Sequence, residues 1–283
     1  PRGSERPRAG PPERGGADDA SGPVRMDALR LGRPLTEKRI FMPAPSTDTE
    51  NRTSPEPAPA VVSAGRWRPR TLRTSPSRQD RGLFGHPRGL PWMLNVEMWE
   101  RFSYYGMRAI LLYFITATVA DGGLGLSANS GQVIMAAYSA AVYLLAIPGG
   151  IFADRIIGPW VSSLYGGVVI MAGHVCLSIP TVASSWLGIV LVAVGTGFVK
   201  PNLSTIVGGL YDVDDPRRDA GFQLFYMAIN IGAFVSPLLT GWLREHYGYH
   251  AGFLSAAIGM GLALVAFVHG RHRLSAFAFT VPN

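Results

Sequence analysis

From about residue 91 to residue 270 the chain is a succession of apolar stretches. Each is close to the ~20 helical residues that cross a ~30 Å hydrocarbon core. No other feature limits so severely what the chain can fold into. Six stretches are read, at 91–119, 131–153, 160–181, 187–209, 220–243 and 252–270. In hydrocarbon every backbone polar group needs a partner inside the protein, so stretches of this length are expected to be helices. The expected fold class is all-α, a polytopic membrane protein with six transmembrane helices. The connectors are short and turn-rich, as at 120–130 and at 211–219 with Pro216, which favours antiparallel neighbours. Arg81, Arg88, Arg155, Arg217, Arg218, Arg271 and Arg273 fall near helix ends on one side, against Arg244 on the other. The excess predicts that both ends of the chain are cytoplasmic.

A mean hydropathy of only +0.17 averages two unlike parts. Residues 1–80 hold 15 of the 26 Lys and Arg and 10 of the 19 acidic residues. This part has no hydrophobic period and too little apolar surface to offset the entropy of ordering it. Residues 1–84 are therefore expected to form a disordered Pro/Arg-rich tail. Its basic character raises contact with nucleic acid or anionic lipid, but no recognition module accompanies it, and no nucleic-acid partner is expected. The chain begins at Pro1, from which an incomplete or misassigned amino end is expected, and no secretory signal is read. Cys176 is the single cysteine, which excludes an intramolecular disulfide and argues against a cysteine metal site.

The first stretch carries Glu97, Glu100, Arg101 and Arg108. An isolated charge at the bilayer centre costs at least ~2.5–3.5 kcal/mol, so these four require partners or water. At 100° per residue, Glu97, Glu100, Arg101, Tyr104, Tyr105 and Arg108 fall within an arc of ~140°, a single helix face. That face looks either into a substrate and ion pathway or onto internal salt bridges such as Glu97 with Arg101 at i,i+4. The two coexist if a proton can break the pair.

The fourth stretch places Lys200 in mid-span, followed by Pro201, which removes a backbone donor and is expected to kink or open the helix. Lys200 needs an anion, either Glu97 or Glu100 in an empty state or an anionic substrate group. In a chain with 24 Arg and 2 Lys, a mid-membrane lysine points to a cation whose protonation can change. Gln223, Tyr226 and Asn230 in the fifth stretch, with Tyr138 and Tyr143 in the second, are polar groups suited to a pocket for related polar ligands. Asn230 could equally serve as interhelical glue. His174 reads as a hydrogen-bonded packing residue, and His246 and His250 as exposed. No nucleophile elbow, metal cluster, phosphate loop or catalytic carboxylate pair is found, so no enzyme activity and no cofactor are expected.

The run Glu97-x-x-Glu100-Arg101-Phe102-Ser103-Tyr104-Tyr105-Gly106 resembles the first-helix signature of the proton-dependent oligopeptide transporter family, written ExxERFxYYG. The run Gly149-Gly150-Ile-Phe-Ala153-Asp154-Arg155-Ile-Ile-Gly158 looks like the loop motif between helices 2 and 3 of the major facilitator superfamily. Phe225-Tyr226-Met-Ala-Ile-Asn230-Ile-Gly232 is similar to the family's second signature, and Lys200-Pro201-Asn202 adds to the match, which extends over residues 85–283.

The resemblance implies that residues 85–270 are the amino-terminal six-helix bundle of such a transporter, in the cytoplasmic membrane, with 271–283 the start of a linker. The partners would be the lipid bilayer, a di- or tripeptide, and a carboxy-terminal six-helix bundle, with protons as the coupling ion. By position, Arg101 and Lys200 would hold the peptide carboxylate, with Arg108 facing the same cavity. Tyr104, Tyr105, Tyr138 and Asn230 would line the amino-terminal side of the pocket. Glu97 and Glu100 would exchange between protonated and ion-paired forms with Arg101 and Lys200, and Gly150, Asp154, Arg155 and Gly158 would form the conformational motif. Since the chain stops at Asn283, it is expected to be unable to complete a transport cycle alone. Transport of another small anion such as nitrate, a non-transporting membrane binding protein, and nucleic-acid binding through the tail are the alternatives.

Overall fold

The computed structural model describes Pro76 and residues 78–281, all within the unit Pro55–Asn283. The disordered tail expected for residues 1–84 lies, up to residue 75 and at residue 77, outside the described residues. The rest is built on six long helices: α1 (Leu90–Thr116), α2 (Ala128–Phe152), α3 (Pro159–Ser178), α4 (Val182–Gly208), α5 (Arg218–Tyr247) and α6 (Tyr249–Gly270). A π-helical turn, Ala153–Ile157, prolongs α2.

Helix ends depart from the apolar boundaries because local backbone chemistry sets them. Thr181 caps α4 by accepting the Ser184 N–H at 3.2 Å, so the helix starts five residues before the apolar stretch read from sequence. Gly248, at φ 86°, lets α5 run on to Tyr247 and α6 begin at Tyr249, a conformation that side chains other than glycine rarely take. Pro91 and Pro159 open α1 and α3 in the first helical turn, where a missing N–H costs nothing.

Helices α2 to α6 are long and apolar enough to cross a membrane, and the chain is a multi-pass membrane protein. Helix α1 is as long, at 27 residues, but its four ionisable side chains keep it outside a purely compositional definition of a span. Helix α1 packs against α5 and α6, α3 against α4 and α6, and α2 against α4. Aromatic side chains fill the interior. Phe114 and Phe253 meet edge to face at 5.2 Å, and Trp160 stacks on Phe267 at 5.2 Å.

Small residues set the helix spacing, as expected where lipid supplies no hydrophobic drive and packing decides association. A methyl group placed on Gly195 of α4 would lie 2.5 Å from the Gly166 carbonyl oxygen of α3. Pro201 does not open α4, which stays one continuous helix. The Gly197 carbonyl that lost its i+4 donor faces Gly149 of α2 at close range. Asn202 Nδ2 donates to the Phe198 carbonyl at 2.6 Å and to Ser162 Oγ at 3.1 Å.

Both flanking segments are tied to the bundle. Arg217 donates to the carbonyls of Asp80 (3.0 Å) and Gly85 (2.7 Å) and pairs with Asp215 at 2.7 Å. Those Arg217 hydrogen bonds hold the Asp215 carboxyl at about 2, below the usual carboxylate range. After α6, the 3₁₀ turn Ala276–Phe279 buries Phe279 against Trp160, and Ser275 Oγ donates to the Gly209 carbonyl at 2.7 Å.

Gly195→Ala is expected to lower unfolding stability in detergent by ~1–3 kcal/mol, the usual range for overpacking. The same change at Gly241, where an added methyl meets nothing within 4 Å, is expected to be neutral or slightly stabilising, since Ala is the better helix former. Thermal unfolding of the two variants side by side checks this.

Candidate functional site: a buried charge cluster on the first helix

The polar face of α1 turns inward. Glu97, Glu100 and Arg101 are 4%, 1% and 8% exposed, so at membrane depth they meet neither lipid nor open water. Arg101 Nε lies 3.2 Å from Glu97 Oε1, and its Nη2 and Nε hold Glu100 Oε2 in a short contact. One guanidinium therefore serves two carboxylates. Beyond Glu100 lies a void of only about 10 Å³ bordered by Val96, Ser163, Val199, Met260 and Phe267, room for one water at most. With both carboxylates ionised the trio carries one uncompensated negative charge in surroundings too dry to screen it, which is why its hydrogen-bond geometry has to be good.

The tyrosines extend this cluster along the helix. The Arg101 guanidinium lies 5.4 Å from the Tyr104 ring centre, Tyr104 and Tyr105 meet edge to face at 5.2 Å, and the exposed Arg108 donates to Tyr104 Oη at 3.2 Å. Tyr138 of α2 is buried within electrostatic reach of Tyr104, Arg108, Glu100 and Arg101. Its hydroxyl has no hydrogen-bond partner among the described residues. A buried phenol without a partner, aimed at a charged helix face, is a group set for a ligand or an ordered water.

Lys200 differs from the empty-state pairing considered from sequence. It forms no ion pair with Glu97 or Glu100, which both pair with Arg101. Its ammonium instead sits 3.8 Å from the centre of the Tyr143 ring of α2, a cation–π contact that leaves the charge available. Helical spacing cannot reveal a contact between α4 and α2. The signal in the sequence was only that Tyr143 stands in an apolar span.

Asn230 is not brought to this cluster. It is exposed, and its Nδ2 donates to the Tyr226 carbonyl one turn back at 2.8 Å, so it is not interhelical glue among the described residues. Tyr226 is 61% exposed on the same helix. Helices α2 and α5 both leave large apolar side chains uncovered, among them Leu144 (67%) and Phe234 (72%).

The loop motif after α2 is also separate from the cluster. Asp154 and Arg155 are exposed, and a methyl group placed on Gly150 would meet Pro201 at 3.8 Å, an ordinary contact distance. Gly158 takes φ 82° beneath the Thr280 carbonyl, a position strained for any other residue. His246 is exposed as expected, whereas His250 is half-buried and bonded to the Leu177 carbonyl at 2.8 Å.

This geometry can be set beside known proteins. The family model described as "POT family" matches residues 163–278. The uncharacterized transporter YclF of Bacillus subtilis is 47% identical over 205 residues, covering 72% of this chain and 42% of the relative. The di-/tripeptide transporter of Lactococcus lactis subsp. cremoris is 46% identical over 200 residues, covering 70% and 40%. The crystal structure of peptide transporter POT in complex with sulfate matches with a TM-score of 0.70 and 50% identity, over 74% of this chain and 42% of that one.

The helical part of this chain belongs to the POT family. It spans about two fifths of the length of the curated relatives it matches. The run that resembles the family's first-helix signature lies on the polar face of α1, where Glu97, Glu100 and Arg101 are buried. A POT family structure in complex with 5-aminolevulinic acid, 41% identical with a TM-score of 0.69, covers the same share of this chain, 74%.

Arg101→Met strands two buried carboxylates and is expected to cost ~3–5 kcal/mol, as when one partner of a buried pair is removed. Lys200→Met breaks no ion pair and is expected to cost no more than the ~0.5–2 kcal/mol of a cation–π contact. Comparing the unfolding of both variants in detergent checks the order.

Proposed function

We propose that these helices are the amino-terminal bundle of a proton-coupled symporter of di- and tripeptides, working by alternating access in the cytoplasmic membrane with both ends of this chain on the cytoplasmic side. The observation that carries the reading is the Glu97–Glu100–Arg101 cluster: two carboxylates and one guanidinium, buried at membrane depth. Buried ionisable groups in a span are expensive and are kept where an ion or substrate moves. The relatives' length, more than twice the matched part, supports a second six-helix bundle as the partner that covers the exposed faces of α2 and α5. On this reading residues 85–270 form the bundle and 271–283 lead to its partner.

A proton taken up by Glu97 or Glu100 neutralises the excess negative charge and loosens that carboxylate from Arg101. Arg101 and Lys200 then take the peptide carboxylate, with Arg108 facing the same space. Tyr104, Tyr105 and Tyr138 line the amino-terminal side of the peptide, Asn230 joining them only once the two bundles close. Gly150, Asp154, Arg155 and Gly158 act at the cytoplasmic end as the conformational motif. No nucleic acid takes part.

The test is uptake of labelled di-alanine and of nitrate by the full-length protein in vesicles, with and without an inward proton gradient. Accumulation of di-alanine only with the gradient is expected. Nitrate uptake in its place would overturn the substrate class, and gradient-independent accumulation would overturn the coupling. Lys200→Ala and Glu100→Gln are each expected to abolish proton-driven accumulation, and Glu100→Gln to retain peptide counterflow.

A further inference from the structure

Helix α1 is gripped on two sides by direct helix contact. On the α5 side Gly232 brings the α5 backbone against the Met98 carbonyl, and Thr240 Oγ1 donates to the Gly106 carbonyl at 3.1 Å. On the α6 side Gly252 and Gly259 receive Ile110 and Phe102. Helix α1 also touches α2 and α4, while α3 packs mainly on α4 and α6. From α3, His174 reaches α1 with its Nε2 2.6 Å from Ser103 Oγ.

Both residues are 0% exposed. His174 Nδ1 has no hydrogen-bond partner among the described residues. The pair is bonded in either sense, with Nε2–H donating to Ser103 Oγ or the Ser103 O–H donating to Nε2, according to the tautomer.

Ser103 follows Glu100 by three residues and Arg101 by two, at the variable position of the ERFxYY run. At 100° per residue it lies ~60° around the helix from Glu100, on the side away from Arg101. A rotation of α1 by about 20° would move a group ~3 Å from the helix axis by about 1 Å, enough to break a 2.6 Å hydrogen bond. The same rotation would carry Glu97, Glu100 and Arg101 out of their present setting. The glycine contacts on the α5 and α6 sides fix how near α1 comes to its neighbours without a directional bond of their own; Thr240 supplies one such bond at Gly106, and His174 supplies a second at Ser103, from α3.

We propose that Ser103 and His174 are a positioning pair that locks the rotation of α1 and so holds the Glu97–Glu100–Arg101 cluster in register for proton coupling. The consequence for coupling rests on the transport reading above; the rotational lock does not.

Two readouts on the full-length protein separate these. In vesicles, Ser103→Ala is expected to lower the maximal proton-driven uptake of di-alanine about ten-fold, the scale of a sub-ångström to 1 Å misplacement of a working group, while the half-saturating concentration in counterflow stays within about two-fold. The Ser103→Ala/His174→Leu double variant is expected to be no slower than the slower single variant, and His174→Gln, whose amide nitrogen reaches the place of Nε2, to recover most of the rate lost in His174→Leu. Wild-type uptake by Ser103→Ala, or losses that multiply in the double variant, would overturn the pair. Normal turnover per folded molecule in both His174 variants would do the same, by reducing His174 to packing.

In detergent, with no transport needed, Ser103→Ala is expected to speed amide hydrogen exchange across 97–108 relative to α6. Unchanged exchange would overturn the lock. If the wild-type protein accumulates no di-alanine, the transport reading falls and the exchange result alone decides the pair.

Discussion

A membrane helix that carries two glutamates and an arginine within two turns can exist only if those groups never meet lipid, and most of this architecture follows from that requirement. The trio is buried to within a few per cent, which forces α1 into the middle of the bundle with α5 and α6 against it. Such close packing needs small residues where backbones approach, hence Gly232 beneath Met98 and Gly106 beside Thr240. The peripheral helices inherit the opposite constraint. Helices α2 and α5 are the least buried of the five apolar spans, and their outward faces carry Tyr143, Leu144, Tyr226 and Phe234.

What could be read in the sequence was what depends on distance along one helix. Glu97 and Arg101 at i,i+4 do pair, and of the ~140° face computed from helical geometry Glu97, Glu100, Arg101 and Tyr104 are buried while Arg108 is exposed. The transporter family was equally legible, because its signature consists of those same residues. What could not be read depends on which helices become neighbours. Along the chain, Glu97 and Glu100 are the acids of the first span that could pair with Lys200. The fold instead sets α4 beside α2, so the cation meets the Tyr143 ring. Asn230, in the run that resembles the family's second signature, turns its amide back onto its own helix.

Helix ends differ from the apolar boundaries for another reason: hydropathy senses where hydrocarbon ends, whereas a helix ends where a cap or a positive φ stops it, as at Thr181 and Gly248. The segments outside the spans followed a third logic. Arg217 was legible only as one more positive charge beside a helix end. In the fold it organises the segment before α1 through two carbonyls and Asp215, so a residue counted for topology is also a tether.

The charges on α1 and α4 carry the argument one step further. Glu97, Glu100, Arg101, Arg108 and Lys200 sum to one net positive charge when all are ionised, although the inner trio by itself is negative. Under the transport proposal, a peptide carboxylate arriving near Arg101 and Lys200 brings that sum to zero. A proton on either glutamate first raises the sum to two, making the same site more attractive to the anion. Binding free energies are reciprocal, so a bound carboxylate must strengthen proton binding by the same factor. The coupling then needs no long pathway, because proton and carboxylate act on one guanidinium. Arg101 can join the substrate only as far as it leaves a glutamate, and a glutamate is free to leave once it is neutral.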